Sequence, residues 1–174
     1  VQDFAGIPIF AFWNAHGTRT ILREARVIIM GQNLIEVLIN RIKIAGGIPE
    51  EKKMIISDTM QYIAVSKRDF HQNHFLLTRN LFELFGIEER KGHWEEKKYI
   101  EELKSADPKV RDQCLFIILL GDILDGKISS RERFKLKKLR DSGLINYSDQ
   151  EMKQFTKDCL EGRGIEPLLQ KYLV

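Results

Sequence analysis

GDILDGKISSRE, residues 121–132, follows directly on the apolar run CLFIILL at residues 114–120. A helix that is apolar nearly all round needs neighbours on every side, so we predict that residues 108–124 form the central helix of a helical protein. The backbone then turns at Gly126, and Ser129 and Glu132 have the spacing of a capping box that starts another helix. This segment therefore predicts a helix, an acidic turn and a second helix.

The first quarter of the chain carries a long helical pattern. One stripe recurs every seven residues, at Ile21, Ile28, Ile35 and Ile42. It indicates an amphipathic helix over residues 18–45, preceded by a short apolar segment at residues 4–13. The stripe packs on the chain's own bundle or on an upstream region, or it forms a coiled-coil-like seam between two copies of a homodimer. Both interpretations fit the sequence.

The remaining segments also have helical signals, and none alternates with the period of two that a strand requires. Prolines open predicted helices, and glycines such as Gly86 and Gly143 end them. We predict an all-α bundle of about seven helices. Residues 1–47 are expected to be the end of an upstream domain, and residues 48–174 a helical domain.

Two parts of this helical pattern resemble each other. An apolar helix, a polar break and an amphipathic helix that ends in glycine occur around residues 55–87 and again around 114–144. Phe70 corresponds to Ile128 and His74 to Glu132, both with an offset of 58 residues. This order is typical of two helical hairpins related by a pseudo-twofold axis.

Composition excludes several functional classes. With 174 residues, 43% hydrophobic and 30% charged, the chain has the composition of an ordinary globular protein. A net charge of +3 is too small to indicate nucleic-acid binding. Cys114 and Cys159 lack CxxC spacing and are expected to be reduced thiols of a cytoplasmic protein. No apolar stretch reaches the roughly 18–20 residues of a membrane-spanning helix.

The acidic turn is one candidate site. Asp122, Asp125 and Glu132 could converge on a divalent cation, Ca²⁺, Mg²⁺, Mn²⁺ or Zn²⁺. The twelve-residue calcium loop fits poorly, because Gly121 and Ile123 would stand at ligand positions and have no side-chain oxygen. The alternative interpretation is architectural, with Asp125 in the turn and Glu132 in the cap of the next helix.

A second candidate lies in the first hairpin. His71 and His74 are three residues apart with Asp69 close in sequence, and this spacing can serve a transition metal. The alternative is that these histidines belong to a surface or interface. We also expect Asp69 to cap the helix that follows it.

The helix after the acidic turn is rich in basic residues, among them Arg131, Arg133, Lys135 and Lys138. Such a set binds a protein partner or an anionic membrane surface, or it forms an ordinary solvated helix face. No phosphate-binding loop, nucleophile elbow or Ser/His/Asp arrangement is present in the sequence. We therefore expect that the protein is not an enzyme and requires no cofactor.

The sequence DGKISSRE at residues 125–132, between an apolar helix and an amphipathic one, resembles the core of tellurite-resistance TerB-like domains. The resemblance covers about residues 49–174. It implies an all-helical, mostly bacterial, cytosolic domain that is often joined to membrane-associated or stress-response modules, and it implies metal ligands at Asp122, Asp125 and Glu132. The first hairpin departs from the pattern, because DFHQNH stands at residues 69–74 where a second acidic turn would be.

Residues 4–30, with IPIF at 7–10 and NAHGTR at 14–19, resemble the end of EcsC-like membrane-associated domains. The combined expectation is a non-catalytic helical interaction module, the cytosolic tail of a membrane-associated bacterial protein of stress-response type. Its partner would be another protein or an upstream membrane-associated domain, at the inner face of the membrane. The alternative is a metal-responsive regulatory module that uses the acidic turn.

Overall fold

The computed structural model describes residues 6–46, 48–87 and 95–172. Within these ranges the chain forms eight α-helices and one 3-10 turn, so the predicted all-α bundle is confirmed. In chain order the elements are α1 (Gly6–Ile44), the 3-10 turn (Glu50–Lys52), α2 (Met54–Ser66), α3 (Gln72–Phe85), α4 (Glu96–Ser105), α5 (Pro108–Ile123), α6 (Ser130–Asp141), α7 (Asp149–Leu160) and α8 (Glu166–Tyr172).

The first helix is longer than its sequence pattern predicts. We expected a short apolar segment followed by a separate helix from residue 18, but α1 is continuous from Gly6 to Ile44. Pro8 lies in its first turn, where a missing backbone N–H breaks no intrahelical hydrogen bond. Gly31 does not interrupt α1 either. The part of the predicted apolar segment before residue 6 lies outside the described residues.

The predicted central helix is confirmed. Every residue from 113 to 124 is buried, and α1, α2, α4, α7 and α8 all pack against α5. Asp107 caps α5 by accepting a 2.9 Å hydrogen bond from the Lys109 backbone N–H, and Pro108 occupies the first turn as predicted. The second half of α1 lies in the same core through Leu38 and Ile42, which are fully buried. Residues on both sides of the domain boundary predicted at 47 therefore share one core.

The start of α3 differs from the prediction. The N-cap is His71 and not Asp69, because His71 Nδ1 accepts the Asn73 backbone N–H at 3.1 Å. His74 completes a capping box, as its Nδ1 accepts the His71 backbone N–H at 3.2 Å. Asp69 is exposed and lies before the helix. An imidazole nitrogen thus accepts the backbone hydrogen bond that a serine or aspartate side-chain oxygen accepts at most helix N-termini.

The two hairpins, α2–α3 and α5–α6, repeat one arrangement at the predicted offset of 58 residues. The cap of α6 is Ser129 with Glu132, and each stands 58 residues after His71 and His74 of α3. The predicted capping box at residues 129–132 is therefore confirmed. The two hairpins thus have a capping box at equivalent positions with different residue types, and α7 begins with a third one, formed by Ser148 and Glu151.

The two hairpins meet at equivalent positions. Ile63 of α2 and Gly121 of α5 are also 58 residues apart, and a Cβ on Gly121 would lie 2.7 Å from Ile63 Cδ1. The crossing of α2 and α5 thus brings equivalent positions of the two hairpins into contact at Ile63 and Gly121, as a pseudo-twofold arrangement predicts. The residues that follow these positions in the two hairpins meet beside this crossing.

None of the helices in the described ranges combines the length and apolarity that crossing a bilayer requires.

Candidate functional site

The three acids of the predicted site are all withdrawn from solvent. Asp122 is 2% exposed and Glu132 1% exposed, and the Asp125 side chain is 5% exposed. Burying carboxylates is costly unless a positive group or hydrogen bonds compensate them. The compensation comes from the other hairpin.

Lys67 supplies the positive charge. It follows the end of α2, its side chain is 2% exposed, and its Nζ donates to Glu132 Oε1 and, at 3.3 Å, to Asp125 Oδ2. We call Lys67, Asp122, Asp125 and Glu132 the lysine cluster. Sequence reasoning missed Lys67, although one signal was available. Lys67 stands 58 residues before Asp125 and therefore occupies the equivalent position in the first hairpin. Both residues come four positions after the contact between Ile63 and Gly121, so they lie close together.

Two carboxylates of the lysine cluster also accept hydrogen bonds from the backbone of the acidic turn. Glu132 Oε2 accepts the Ser129 backbone N–H at 2.6 Å, and Asp125 Oδ1 accepts the Lys127 backbone N–H at 3.2 Å. Gly126 has a φ of +70°, and a Cβ there would lie 2.9 Å from Val27 Cγ2. The architectural contacts expected of Asp125 and Glu132 are therefore present, with an ion pair to Lys67 added to them.

Asp122 differs from its two neighbours. Burial raises the pKa of Asp122 well above its ordinary value, Lys67 opposes the rise, and the charges of Glu132 and Asp125 add to it. Two carboxylates already pair with one ammonium, so a third negative charge at Asp122 would be repelled. Asp122 consequently keeps its proton to higher pH than a solvated aspartate.

His74 is a neutral structural group. It is fully buried, and its Nε2 lies 2.8 Å from the Gly121 carbonyl, to which it donates while Nδ1 accepts from the backbone of α3. Burial, together with the positive charge of Lys67, lowers the pKa of His74 to about 4. His71 uses both ring nitrogens too, since Nε2 lies 2.7 Å from Glu24 Oε1 of α1.

Four of the six predicted metal ligands, Asp125, Glu132, His71 and His74, thus form hydrogen bonds or ion pairs within the protein. Among the described residues, no group of three or more histidine, cysteine, aspartate or glutamate side chains is arranged to hold a metal ion. Asp69, His71 and His74 are not brought together as such a group, and Lys67 lies between Asp125 and Glu132. Metal binding by either set stays a prediction, which calorimetric titration with divalent cations would test.

Asn73 of α3 connects α1 to the end of α5 through two hydrogen bonds, beside the lysine cluster. Its Nδ2 donates to the carbonyls of Val27 and Leu124, both at 2.9 Å. Its close approach requires a glycine on α1, because a Cβ on Gly31 would lie 2.6 Å from Asn73 Cγ. Gly31 therefore provides space for an interhelical contact in the middle of α1.

The predicted basic surface on α6 is divided. Lys135 and Lys138 turn toward α4, where their Nζ atoms lie 2.8 and 2.9 Å from Glu96 carboxylate oxygens. Arg131 is exposed, and Arg133 contacts the Ser130 hydroxyl at 3.2 Å. Two of the four predicted residues thus pair with Glu96 within the chain, and binding of a partner or an anionic surface by this set stays a prediction.

The isoleucine stripe is divided as well. Ile35 and Ile42 are 2% and 0% exposed within the chain's own core, Ile28 is half-buried and Ile21 is 69% exposed. The four residues cannot form one seam on the surface of a folded chain, because half of them already pack against its own helices. Oligomerisation itself stays a prediction.

The exposed part of the stripe belongs to a larger apolar surface. The first half of α1 extends beyond the buried residues, which begin at Val27. We call residues 12–26 the α1 arm. Its most exposed apolar side chains are Phe12, Trp13, Ile21 and Leu22, each between 63% and 69% exposed.

A basic patch lies where the α1 arm meets α7. A shallow cavity of about 400 Å³ is lined there by Leu22, Leu160, Glu161 and four basic residues, Arg19, Arg23, Arg26 and Lys157. Arg23 also donates to the Gly126 carbonyl at 3.4 Å, which links the patch to the acidic turn. Sequence reasoning did not single out this patch, because Lys157 is more than a hundred residues from the arginines.

Neither cysteine has the environment of a nucleophile. Burial raises the pKa of Cys114 to about 12 and that of Cys159 to about 11. A thiol acts as a nucleophile in its thiolate form, and both thiols hold their protons at neutral pH.

Comparisons with protein-family models, with curated proteins and with solved structures found no match to this chain. The TerB-like and EcsC-like resemblances consequently stay predictions from the residues that carry them.

Proposed function

We propose that this chain is a non-catalytic helical interaction module that binds an anionic membrane surface through the α1 arm. The observation that carries the proposal is the exposure of Phe12, Trp13, Ile21 and Leu22 on a helix that is otherwise anchored in the core. Large apolar side chains that cluster on an exposed surface usually mark a binding site. The expected setting is the inner face of a membrane, in a protein of the stress-response type that the TerB-like resemblance implies.

The arrangement of charges supports a lipid surface over a neutral partner. Arg19, Arg23 and Arg26 follow the i, i+4, i+7 pattern and share one face of α1. Leu22 lies beside this face, whereas Ile21 lies on the opposite side of the helix. An exposed helix segment that carries both apolar and basic side chains is suited to the membrane interface, with its apolar residues among the acyl chains and its basic residues at the phosphates.

The buried polar groups support a structural role for the rest of the molecule. Lys67 pairs with Asp125 and Glu132, and His74 uses both ring nitrogens in hydrogen bonds inside the protein. Since these groups do not reach solvent, they are suited to hold the two hairpins together, and the bundle then serves as a rigid base for the arm.

The test uses the full chain with Trp94→Phe, which leaves Trp13 as the single tryptophan. We expect its fluorescence emission to shift to the blue when phosphatidylglycerol vesicles are added, and not with phosphatidylcholine vesicles. Added salt should weaken the binding, because it screens the arginines from the lipid phosphates. The same protein should sediment with the anionic vesicles.

Two matched double variants locate the surface. Each basic residue near an anionic membrane contributes about 1 kcal/mol, so Arg19→Gln with Arg26→Gln should weaken vesicle binding roughly 30-fold. Arg131→Gln with Arg133→Gln removes the same charge from α6 and should leave binding nearly unchanged. Loss of binding in the α6 variant alone, or no binding of the parent protein to phosphatidylglycerol vesicles, would overturn the proposal.

A further inference from the structure

The basic patch between the α1 arm and α7 continues onto the acidic turn. A second cavity of about 230 Å³ lies beside it, lined by residues 126–128 of the turn and by α7, with Lys127 and Lys153 as further basic residues. Lys157 and Leu160 line both cavities, so the two are neighbours on one surface. We call the second cavity the turn cavity.

Three parts of the chain that are distant in sequence build this surface. A Cβ on Gly126 would lie 2.9 Å from Val27 Cγ2 of α1 and 3.3 Å from Leu160 Cδ2 of α7, so the turn packs closely between the two helices. Arg23 of α1 adds its hydrogen bond to the Gly126 carbonyl. The basic side chains therefore project from backbone segments that pack against one another, and these segments hold them near each other.

The excess positive charge of the chain lies at these two cavities. Six basic residues and one acid line them, in a chain whose net charge is +3, so the remainder of the chain has a slight excess of acids. The one acid, Glu161, lies 4.0 Å from Lys157 and also pairs with Arg163. All six basic residues are exposed and can therefore reach a ligand.

Most of these cations lack a carboxylate partner. Within the part of the chain that the structure describes, no ion pair to a carboxylate involves Arg19, Arg23, Arg26, Lys127 or Lys153. The lysines of α6 differ, because Lys135 and Lys138 both contact Glu96. Repulsion among cations that converge without counter-charges is relieved when an anion binds between them. The two cavities are therefore suited to a ligand with several negative charges.

We propose that the basic patch and the turn cavity together bind a ligand that carries two phosphate groups, one at each cavity. The basic patch has three arginines of α1, the turn cavity has Lys127 and Lys153, and Lys157 lines both. Arginine donates paired hydrogen bonds to phosphate oxygens, and lysine binds phosphate as a point charge. A ligand with one phosphate would leave the cations of the other cavity unpaired, so the second phosphate adds to the affinity.

Two sources supply this chemistry, a lipid headgroup with two phosphates and a soluble bisphosphate. The lipid form of the inference rests on the proposed function, because the arginines belong to the α1 arm. The soluble form does not depend on a membrane. A test in solution therefore separates a failure of this inference from a failure of membrane binding.

The first experiment is calorimetric titration of the full chain with glycerol 1,3-bisphosphate and with glycerol 3-phosphate. We expect the bisphosphate to bind roughly tenfold more tightly, as two additional exposed ion pairs would give. Lys127→Gln with Lys153→Gln should lower the affinity for the bisphosphate to that for glycerol 3-phosphate. The same double variant should bind glycerol 3-phosphate as the parent does, because the arginines of the basic patch are retained.

A matched variant controls for the loss of charge. Lys97→Gln with Lys98→Gln removes the same charge from exposed positions on α4 and should leave both affinities unchanged. The proposal fails if the bisphosphate binds no more tightly than glycerol 3-phosphate, or if the two lysine double variants weaken its binding equally. Neither result bears on the binding of phosphatidylglycerol vesicles, which tests the proposed function independently.

The second experiment identifies the source of the phosphates. Phosphatidylcholine vesicles contain either diphosphatidylglycerol, whose headgroup carries two phosphates, or phosphatidylglycerol at the same phosphate content. A lipid ligand predicts tighter binding to diphosphatidylglycerol vesicles, and Lys127→Gln with Lys153→Gln should remove this preference. A soluble ligand predicts the calorimetric preference for the bisphosphate without any preference between the two lipids. Both results support two phosphates as the chemistry that the surface recognises.

Discussion

The two hairpins share one backbone arrangement, but they carry opposite charges where they meet. Lys67 in the first hairpin corresponds to Asp125 in the second, and the neutral His74 corresponds to the acidic Glu132. Because residues near the axis touch their own equivalents, identical charges in both hairpins would repel each other there. The two halves of this repeat are therefore held together by the attraction of opposite charges. The first hairpin contributes a lysine, and the second contributes the carboxylates.

The outer surfaces differ for a related reason. Asn73 on α3 is buried against α1, while its equivalent on α6, Arg131, is exposed. Helix α1 thus covers the first hairpin at the start of α3, and α7 and α8 cover the second hairpin along α5. Helix α1 also contacts α5, so it lies against both hairpins, while α7 and α8 pack on the central helix of the second hairpin.

The largest expected effect comes from removing the lysine between the hairpins. Lys67→Met leaves Glu132 and Asp125 buried without their partner, so we expect a loss of about 4 kcal/mol in the free energy of unfolding. Lys137→Met is the control, because Lys137 is exposed on α6 and pairs with the exposed Asp141; it should cost less than about 0.5 kcal/mol. Urea denaturation measures both. A loss below about 1 kcal/mol for Lys67→Met would contradict the role of this ion pair.

His74 should make stability depend on pH. Its pKa is about 4 in the folded chain against 6.5 as its ordinary value, so the folded state binds fewer protons than the unfolded state between these values. Its contribution is therefore complete above pH 6.5 and is lost as the pH falls toward 4, by about 3 kcal/mol. The unfolding free energy of wild type should fall by that much more than that of His74→Gln across this window. Parallel pH profiles would show that His74 titrates normally.

A smaller effect tests the contact that joins α1 to the first hairpin. Gly31→Ala puts a Cβ against the Asn73 side chain, so we expect a loss of about 2 kcal/mol in thermal or urea unfolding. Gly17→Ala has nothing within 4 Å of the new Cβ and should be neutral or stabilise the chain by up to about 1 kcal/mol. Equal effects at the two glycines would mean that the approach of Asn73 does not decide the residue at position 31.

Much of the local structure could be predicted from the sequence, because caps and helix ends depend on residues close together in the chain. The capping box of Ser129 and Glu132 and the stop at Gly86 were correct for this reason. The prediction of Asp69 as a cap was wrong, since a histidine was not considered as the acceptor. The sequence analysis identified the three carboxylates of the candidate site but did not identify Lys67, which pairs with two of them.

The sequence by itself determined that the chain is helical, where its helices turn and that one apolar helix lies at the centre. These properties follow from the periodicity and from short-range hydrogen bonds. Only the tertiary structure decided that Lys67 pairs with carboxylates about sixty residues away, that half of the isoleucine stripe is buried, and that Arg26 lies beside Lys157. Such pairings depend on how helices cross, and a crossing is set by the fit of many side chains at once.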